Sequence, residues 1–262
     1  MRRSEQLFIG TLVFLWLAMM CTWMWGVRCP GCVLHGLHAL AIGVLWIAAA
    51  IGGTVLLLAV WRTQRLWRLC RTSITPHPPK LQQVCRKLGI GLDQVTCTAQ
   101  VDAIVFCMGW LQPRIVISTG LLTQVSVTEL IAILAHEQWH QQRRDPLRLL
   151  FMHLLRTVLY PFPIIHDLHR AFLTQIEIEA DAAAVECSGR PALASALYKL
   201  LTLPALPAST TYSAVVTSFS PQASRLAHLL DPQRSPPVAL STIRLAVSLL
   251  PFFLLCLTMF TV

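Results

Sequence analysis

Residues 102–145 read DAIVFCMGWLQPRIVISTGLLTQVSVTELIAILAHEQWHQQRRD, and the fold turns on this stretch. Its second half has the pattern of a helix. Ser126-Val127-Thr128-Glu129 has the spacing of a capping box, and Leu130, Ile131, Ile133 and Leu134 mark a buried face. The helix is expected to begin near Val127 and stop near Arg144, because Asp145-Pro146 has the form of an N-cap and first position for the next one. The first half holds two short β-branched or apolar runs, Ala103–Cys107 and Arg114–Ser118, joined through Gly109 and Pro113. That arrangement predicts an antiparallel hairpin.

Inside the helix stands His136-Glu137-Gln138-Trp139-His140. Two histidines four residues apart share a helix face, so their imidazoles can converge on one Zn²⁺, while Glu137 projects to the adjacent side and can reach a water on the metal. A zinc peptidase needs a third protein ligand and one open position. The segment Glu177-Ile178-Glu179-Ala180-Asp181 supplies carboxylates on a second expected helix. Glu177 and Asp181 share a face, whereas Glu179 is rotated by about 200° from Glu177. Glu177 is therefore the expected ligand, Asp181 the carboxylate that orients a liganding imidazole, and Glu179 a solvated charge. His166 and His169, close to the Pro161–Pro163 turn, are the competing third ligands. Of the 12 acids, eight lie between Glu129 and Glu186, which concentrates carboxylates where the chemistry is expected.

Outside this region the chain is unusually apolar. With 55% hydrophobic residues, 13% charged residues and a mean hydropathy of +0.60, intrinsic disorder and a collagen-like fibre are excluded and an integral membrane protein is implied. Nine cysteines in 262 residues are too few for a disulfide-stapled secreted module. No charge interrupts the 22 positions between Glu5 and Arg28 or the 33 between Arg28 and Arg62, and either run can cross about 30 Å of hydrocarbon. The expectation is a helical hairpin, residues 6–27 and 36–60, with a short outside loop at Val27–His35.

Cys29 and Cys32 fall in that loop, where a small disulfide or two free thiols is the plain reading. The uncharged tail Leu245–Val262 is long enough for a third span despite Pro251, with a packed terminal helix as its alternative, and Leu147–Ile165, which carries Arg148 and Arg156, reads as an amphipathic helix at the membrane surface or packed inside the protein. Domains are accordingly expected at 1–61 (transmembrane hairpin), 62–235 (metallopeptidase) and 236–262 (C-terminal span).

The net charge of +9 gathers in Arg62, Arg65, Arg68, Arg71, Lys80, Arg86 and Lys87. Because this block directly follows an apolar run, it reads as a juxtamembrane segment facing anionic lipid, with no nucleic-acid partner expected. Arg2 and Arg3 flank the first run, so both ends of the hairpin are placed in the cytoplasm, and the zinc site with them.

Gly109-Trp110-Leu111-Gln112-Pro113-Arg114-Ile115-Val116-Ile117-Ser118, His136-Glu137-Gln138-Trp139-His140-Gln141-Gln142-Arg143-Arg144-Asp145 and Glu177-Ile178-Glu179-Ala180-Asp181 together resemble the M56 membrane metallopeptidases, relatives of the M48 peptidases. The resemblance covers roughly residues 7–230. It implies a mainly α, membrane-integral gluzincin fold with a small antiparallel hairpin or sheet, zinc on His136, His140 and Glu177, and Glu137 as general base. The implied function is a membrane-bound, zinc-dependent endopeptidase of the inner membrane acting on cytoplasmic or membrane-associated proteins; an inert regulator retaining the fold is the alternative.

Sensor-transducers of this family carry a penicillin-binding domain, but neither S-x-x-K nor K-T-G occurs in the chain, so drug sensing is not implied. Arg225, in a stretch resembling the helix after the third ligand, is the expected oxyanion-stabilising cation, with a salt bridge to Asp181 as its alternative. Ile115, Val116 and Ile117 are expected to form a sheet edge that pairs with substrate, or else an ordinary core strand.

Overall fold

A computed structural model describes residues 34–202 and 241–250, in two compact units. Described residues 34–58, 151–175 and 241–250 belong to the first unit, and 59–150 and 176–202 to the second. Residues 6–27, the expected outside loop up to residue 33, most of the tail and Arg225 lie outside the described residues.

The chain enters through α1, Leu34–Arg71. At about 1.5 Å per residue its 38 residues run about 57 Å, well past the expected end at residue 60. Within it Trp46–Arg71 is the one described segment long and apolar enough to cross a membrane. Trp46, Ile47, Leu57 and Trp61 are exposed on this helix, as a surface meeting lipid would require. Toward its end Arg65 lies 5.5 Å over the Trp61 ring and Arg71 5.9 Å over Trp67, which couples each aromatic body to a cation as in a membrane-interface belt.

In the second unit α2 (Pro79–Leu88) leads to three strands: β1 (Val95–Thr98), β2 (Val105–Met108) and β3 (Arg114–Ser118). The hairpin of β2 and β3 forms in antiparallel register, Val105 opposite Ile117 and Met108 opposite Arg114. Gly109 makes its turn possible at φ 98°, where a Cβ would stand 2.9 Å from the Gln112 carbonyl oxygen.

The sheet is mixed, because β1 adds to β3 in parallel and the order is β1-β3-β2. This corrects the expected role of Ile115, Val116 and Ile117. They sit on the central strand, their backbone groups paired on both sides and their side chains all but fully buried, so they offer no edge to a substrate. Among the described residues, β2 is the outer strand on that side.

Both sheet faces are covered. Val95, Cys97, Ile115 and Ile117 pack on Leu81 and Val84 of α2, on Leu121 of α3 (Thr119–Gln124), and on Leu130 and Leu134 of α4 (Val127–Gln142). Phe106, Met108 and Val116 on the other face meet Leu66 and Cys70 from the last turns of α1. Leu130 and Leu134 are fully buried, which stabilises the fold by about 2–3 kcal/mol each.

The helix α4 starts where the sequence predicts. Ser126 accepts from the Glu129 N–H, and the Glu129 carboxylate accepts in turn from the Ser126 N–H at 2.6 Å. Glu129 also accepts from Ser195 (2.5 Å) and Lys199 (2.7 Å) of α7, Arg190–Thr202. Burial alone would raise its pKa, but the hydrogen bonds from Lys199, Ser195 and Ser126 outweigh this and hold it at about 2 instead of 4.5.

The apolar stretch 147–165 is two helices, α5 (Asp145–Val158) and α6 (Pro163–Ser188), broken at residues 159–162. Tyr160-Pro161-Phe162-Pro163 explains the break, since each proline lacks an N–H and disfavours helix in the residue before it. In the first unit Met152 and Leu155 are buried while His153 is exposed, the amphipathic pattern expected of this stretch. Residues 242–250 of the tail are helical, and they join α6 through Ser248, which accepts from the Ile164 N–H at 3.1 Å, and through Arg244, 2.6 Å from Asp167.

Candidate metal centre

The site is assembled in the second unit, from α4 and from the part of α6 after residue 175. On α4, His136 and His140 stand one turn apart, with ring centroids 4.7 Å apart and planes at 80°. Opposite them α6 presents Glu177 and Asp181, also one turn apart. Small side chains let the helices approach: Ala132 and Ala135 of α4 and Ala184 of α6 share one buried cluster. Two glutamines tie α4 to its surroundings, Gln138 donating to the Leu88 carbonyl (3.2 Å) and Gln141 to that of Pro113 (2.9 Å).

Three residues converge. His136 Nε2 and His140 Nε2 are 3.1 Å apart, and the Glu177 carboxylate oxygens lie 3.5 Å from the first and 3.8 Å from the second. For bonds of about 2.0–2.1 Å to a tetrahedral ion, adjacent ligand atoms stand about 3.3 Å apart, so these separations bracket the edges of a zinc tetrahedron.

The protons agree with this. His136 Nδ1 is 3.0 Å from Asp181 Oδ1, and His140 Nδ1 is 2.9 Å from Asp145 Oδ2. A carboxylate only accepts, so each Nδ1 carries a hydrogen, and the Nε2 of each ring is the atom turned toward the same point as Glu177. Two imidazole Nε2 atoms and a carboxylate facing one another at this range offer the donor set of a metal site. Only His136, His140 and Glu177 form such a group among the described residues, with all three ligand atoms within 4.8 Å of one another.

The structure thus brings together His136, His140, Glu177 and Asp181 and leaves the rivals engaged elsewhere. His166 Nε2 is 3.1 Å from the Tyr160 carbonyl, with its ring against the Tyr160 ring. His169 is 2% exposed and lies 6.5 Å from the His153 ring. Burial first, and then the charges of Arg156, His153, His166 and Arg170, push its pKa down to about 4.

Glu137 follows His136 on α4, about 100° round the helix from it, and is half-buried. Its carboxylate acts on Cys107 of β2: burial raises that thiol's pKa, and the charges of Glu137 and then Asp145 raise it further.

Two expectations need correcting. Glu179 is outside the converging group, but it is not solvated, since its side chain is 10% exposed and 4.0 Å from the Arg143 guanidinium. Asp145 is the first residue of α5 instead of its cap, and its carboxylate joins His140 on one side and Arg148 (2.8 Å) on the other. The five-residue spacing from His140 was the available signal, hidden behind the stronger local reading of Asp-Pro as a helix start.

The sequence profile of the peptidase family described as BlaR1 peptidase M56 matches residues 36–229. Among solved structures, the crystal structure of S. mikatae Ste24p is similar over 87% of this chain and 76% of that one, with 16% sequence identity and a TM-score of 0.43. A search of curated proteins finds no significant match.

Proposed function

We propose, from the premise that this chain belongs to the M56 peptidase family, that it is a zinc-dependent endopeptidase held in a membrane by α1 and hydrolysing peptide bonds of proteins. One observation carries the reading: the convergence of His136, His140 and Glu177, with both imidazoles backed by carboxylates. Bound there, zinc supplies a Lewis acid that polarises the scissile carbonyl and lowers the pKa of water toward about 7. Glu137 takes the proton of the attacking water and returns it to the leaving amine. Asp181 and Asp145 keep the Nδ1 protons of His136 and His140, so both Nε2 atoms stay free to bind the metal. Arg225 remains the candidate for the cation that stabilises oxyanion charge.

The full chain purified in detergent is expected to hold one zinc per polypeptide and to cleave casein, losing both properties to a chelator and regaining both with zinc. Stoichiometric zinc without cleavage would favour the inert regulator, and absence of zinc would remove the site.

The zinc-bearing unit is assigned to the cytoplasmic side of an inner membrane, which makes cytoplasmic proteins, or the cytoplasmic ends of membrane proteins, the substrates. The support is charge asymmetry, with one arginine at Val27–His35 against Arg62, Arg65, Arg68 and Arg71 at the end of α1. Single-cysteine variants in that loop and at Ser73, treated with an impermeant thiol reagent on intact cells, are expected to label in the loop only. Labelling at Ser73 alone would reverse the orientation and the substrate class.

A further inference from the structure

We infer that Asp145, itself held by Arg148, is a positioning residue that fixes His140 for the metal; this rests on reading His136, His140 and Glu177 as the ligands. A plain aspartate in the first turn of a helix gains its stabilisation at the surface, from the helix dipole, and has no need of burial. Asp145 is instead fully buried. A carboxylate so placed is costly unless both oxygens find partners. Its two partners are specific: Oδ2 takes the His140 Nδ1–H at 2.9 Å, and Oδ1 takes Arg148 Nη1 at 2.8 Å.

Arg148 lies three residues along the same helix with its side chain 14% exposed, so helical geometry sets its reach to the carboxylate. A hydrogen-bonded Nδ1 fixes the ring's tautomer and plane, and thereby where the Nε2 lone pair points.

The backbone supplies an independent observation. Only four residues separate His140 from Asp145, and one helix ends and the next begins within them. Arg143 is still right-handed at φ −89°, and Arg144 then adopts φ 52°, the one positive value at a non-glycine among the described residues. Such a conformation is unfavourable for a residue with a Cβ, and it persists where the surroundings over-determine it. Here it brings Asp145 back to His140. The Arg144 side chain is exposed, so the position needs the conformation and not the guanidinium.

The test uses the full chain, stripped of metal, titrated with zinc alone against a competing chelator, and loaded separately with cobalt(II) for its visible spectrum. Asp145→Ala is expected to raise the zinc Kd by about 10–100-fold and shift the cobalt bands. Asp145→Asn, which keeps an oxygen for the Nδ1–H, is expected to recover most of the affinity. Arg148→Ala should weaken zinc severalfold with recovery in Arg148→Lys, and it carries the test should Asp145→Ala not fold. Arg144→Gly should bind zinc as wild type does.

A lower Tm with unchanged zinc Kd and cobalt spectrum in Asp145→Ala and Arg148→Ala would overturn the inference, leaving Asp145 a helix-start residue. A wild-type chain that takes up no zinc would instead overturn the site itself, and the positioning role with it.

Discussion

Glu137→Gln should lower kcat for peptide hydrolysis by about 10²–10⁴-fold while one zinc per chain remains bound, because a general base is worth that much and is not a ligand. The converging group consists of His136, His140 and Glu177, and Glu137 is outside it. Helical rotation carries Glu137 off the ligand face, and its charge is felt by Cys107 of β2. Glutamine fills the same volume at this half-buried position and takes away only the proton-accepting capacity, so the fold and the metal should survive. Hydrolysis of a fluorogenic peptide, measured beside zinc content and Tm, separates the possibilities. Loss of zinc together with activity would show Glu137 to be a ligand and sink its assignment as base.

What the sequence made legible here was local. A capping box at Ser126–Glu129, histidines one turn apart and a carboxylate pair one turn apart are all set by a few neighbouring residues, and each stands where its spacing predicted. The parallel strand Val95–Thr98 was not legible. Four residues reading VTCT carry little pattern, and their partner Arg114–Ser118 lies well downstream with β2 between them. Missing that strand turned the central β3 into an apparent edge.

Asp145 shows a different obstacle, in which a correct local rule conceals a tertiary role. The Asp-Pro pair does mark the start of a helix, yet the carboxylate serves the preceding one, through a left-handed Arg144 that no propensity assigns to arginine. Glu179 lies between these cases. Its angle on α6 sets it apart from Glu177, but angle alone does not say what the side chain meets, which is Arg143.

That distinction between Glu177 and Glu179 gives the second expected result. Glu177→Ala should release zinc, raising its Kd beyond the roughly 10–100-fold typical of losing a group that only orients a ligand. Its oxygens stand 3.5 and 3.8 Å from the two Nε2 atoms, and without them two neutral imidazoles remain, with no charged ligand to offset the ion's desolvation. Glu177→Gln, which preserves shape but not charge, guards against a fold effect and should lose zinc while Tm in the metal-free state stays near wild type.

Glu179→Ala should keep its zinc. Its cost falls on stability, because the Arg143 guanidinium loses a mostly buried partner 4.0 Å away, at the far limit of an ion pair; about 1–3 kcal/mol, and a Tm lower by several degrees, is the expected scale. Metal content after dialysis and thermal melting with and without zinc distinguish the two variants. Equal zinc retention in both would move the third ligand away from Glu177, and equal loss would mean that α6 responds as a whole, so that the helical rotation no longer separates a ligand from a structural charge.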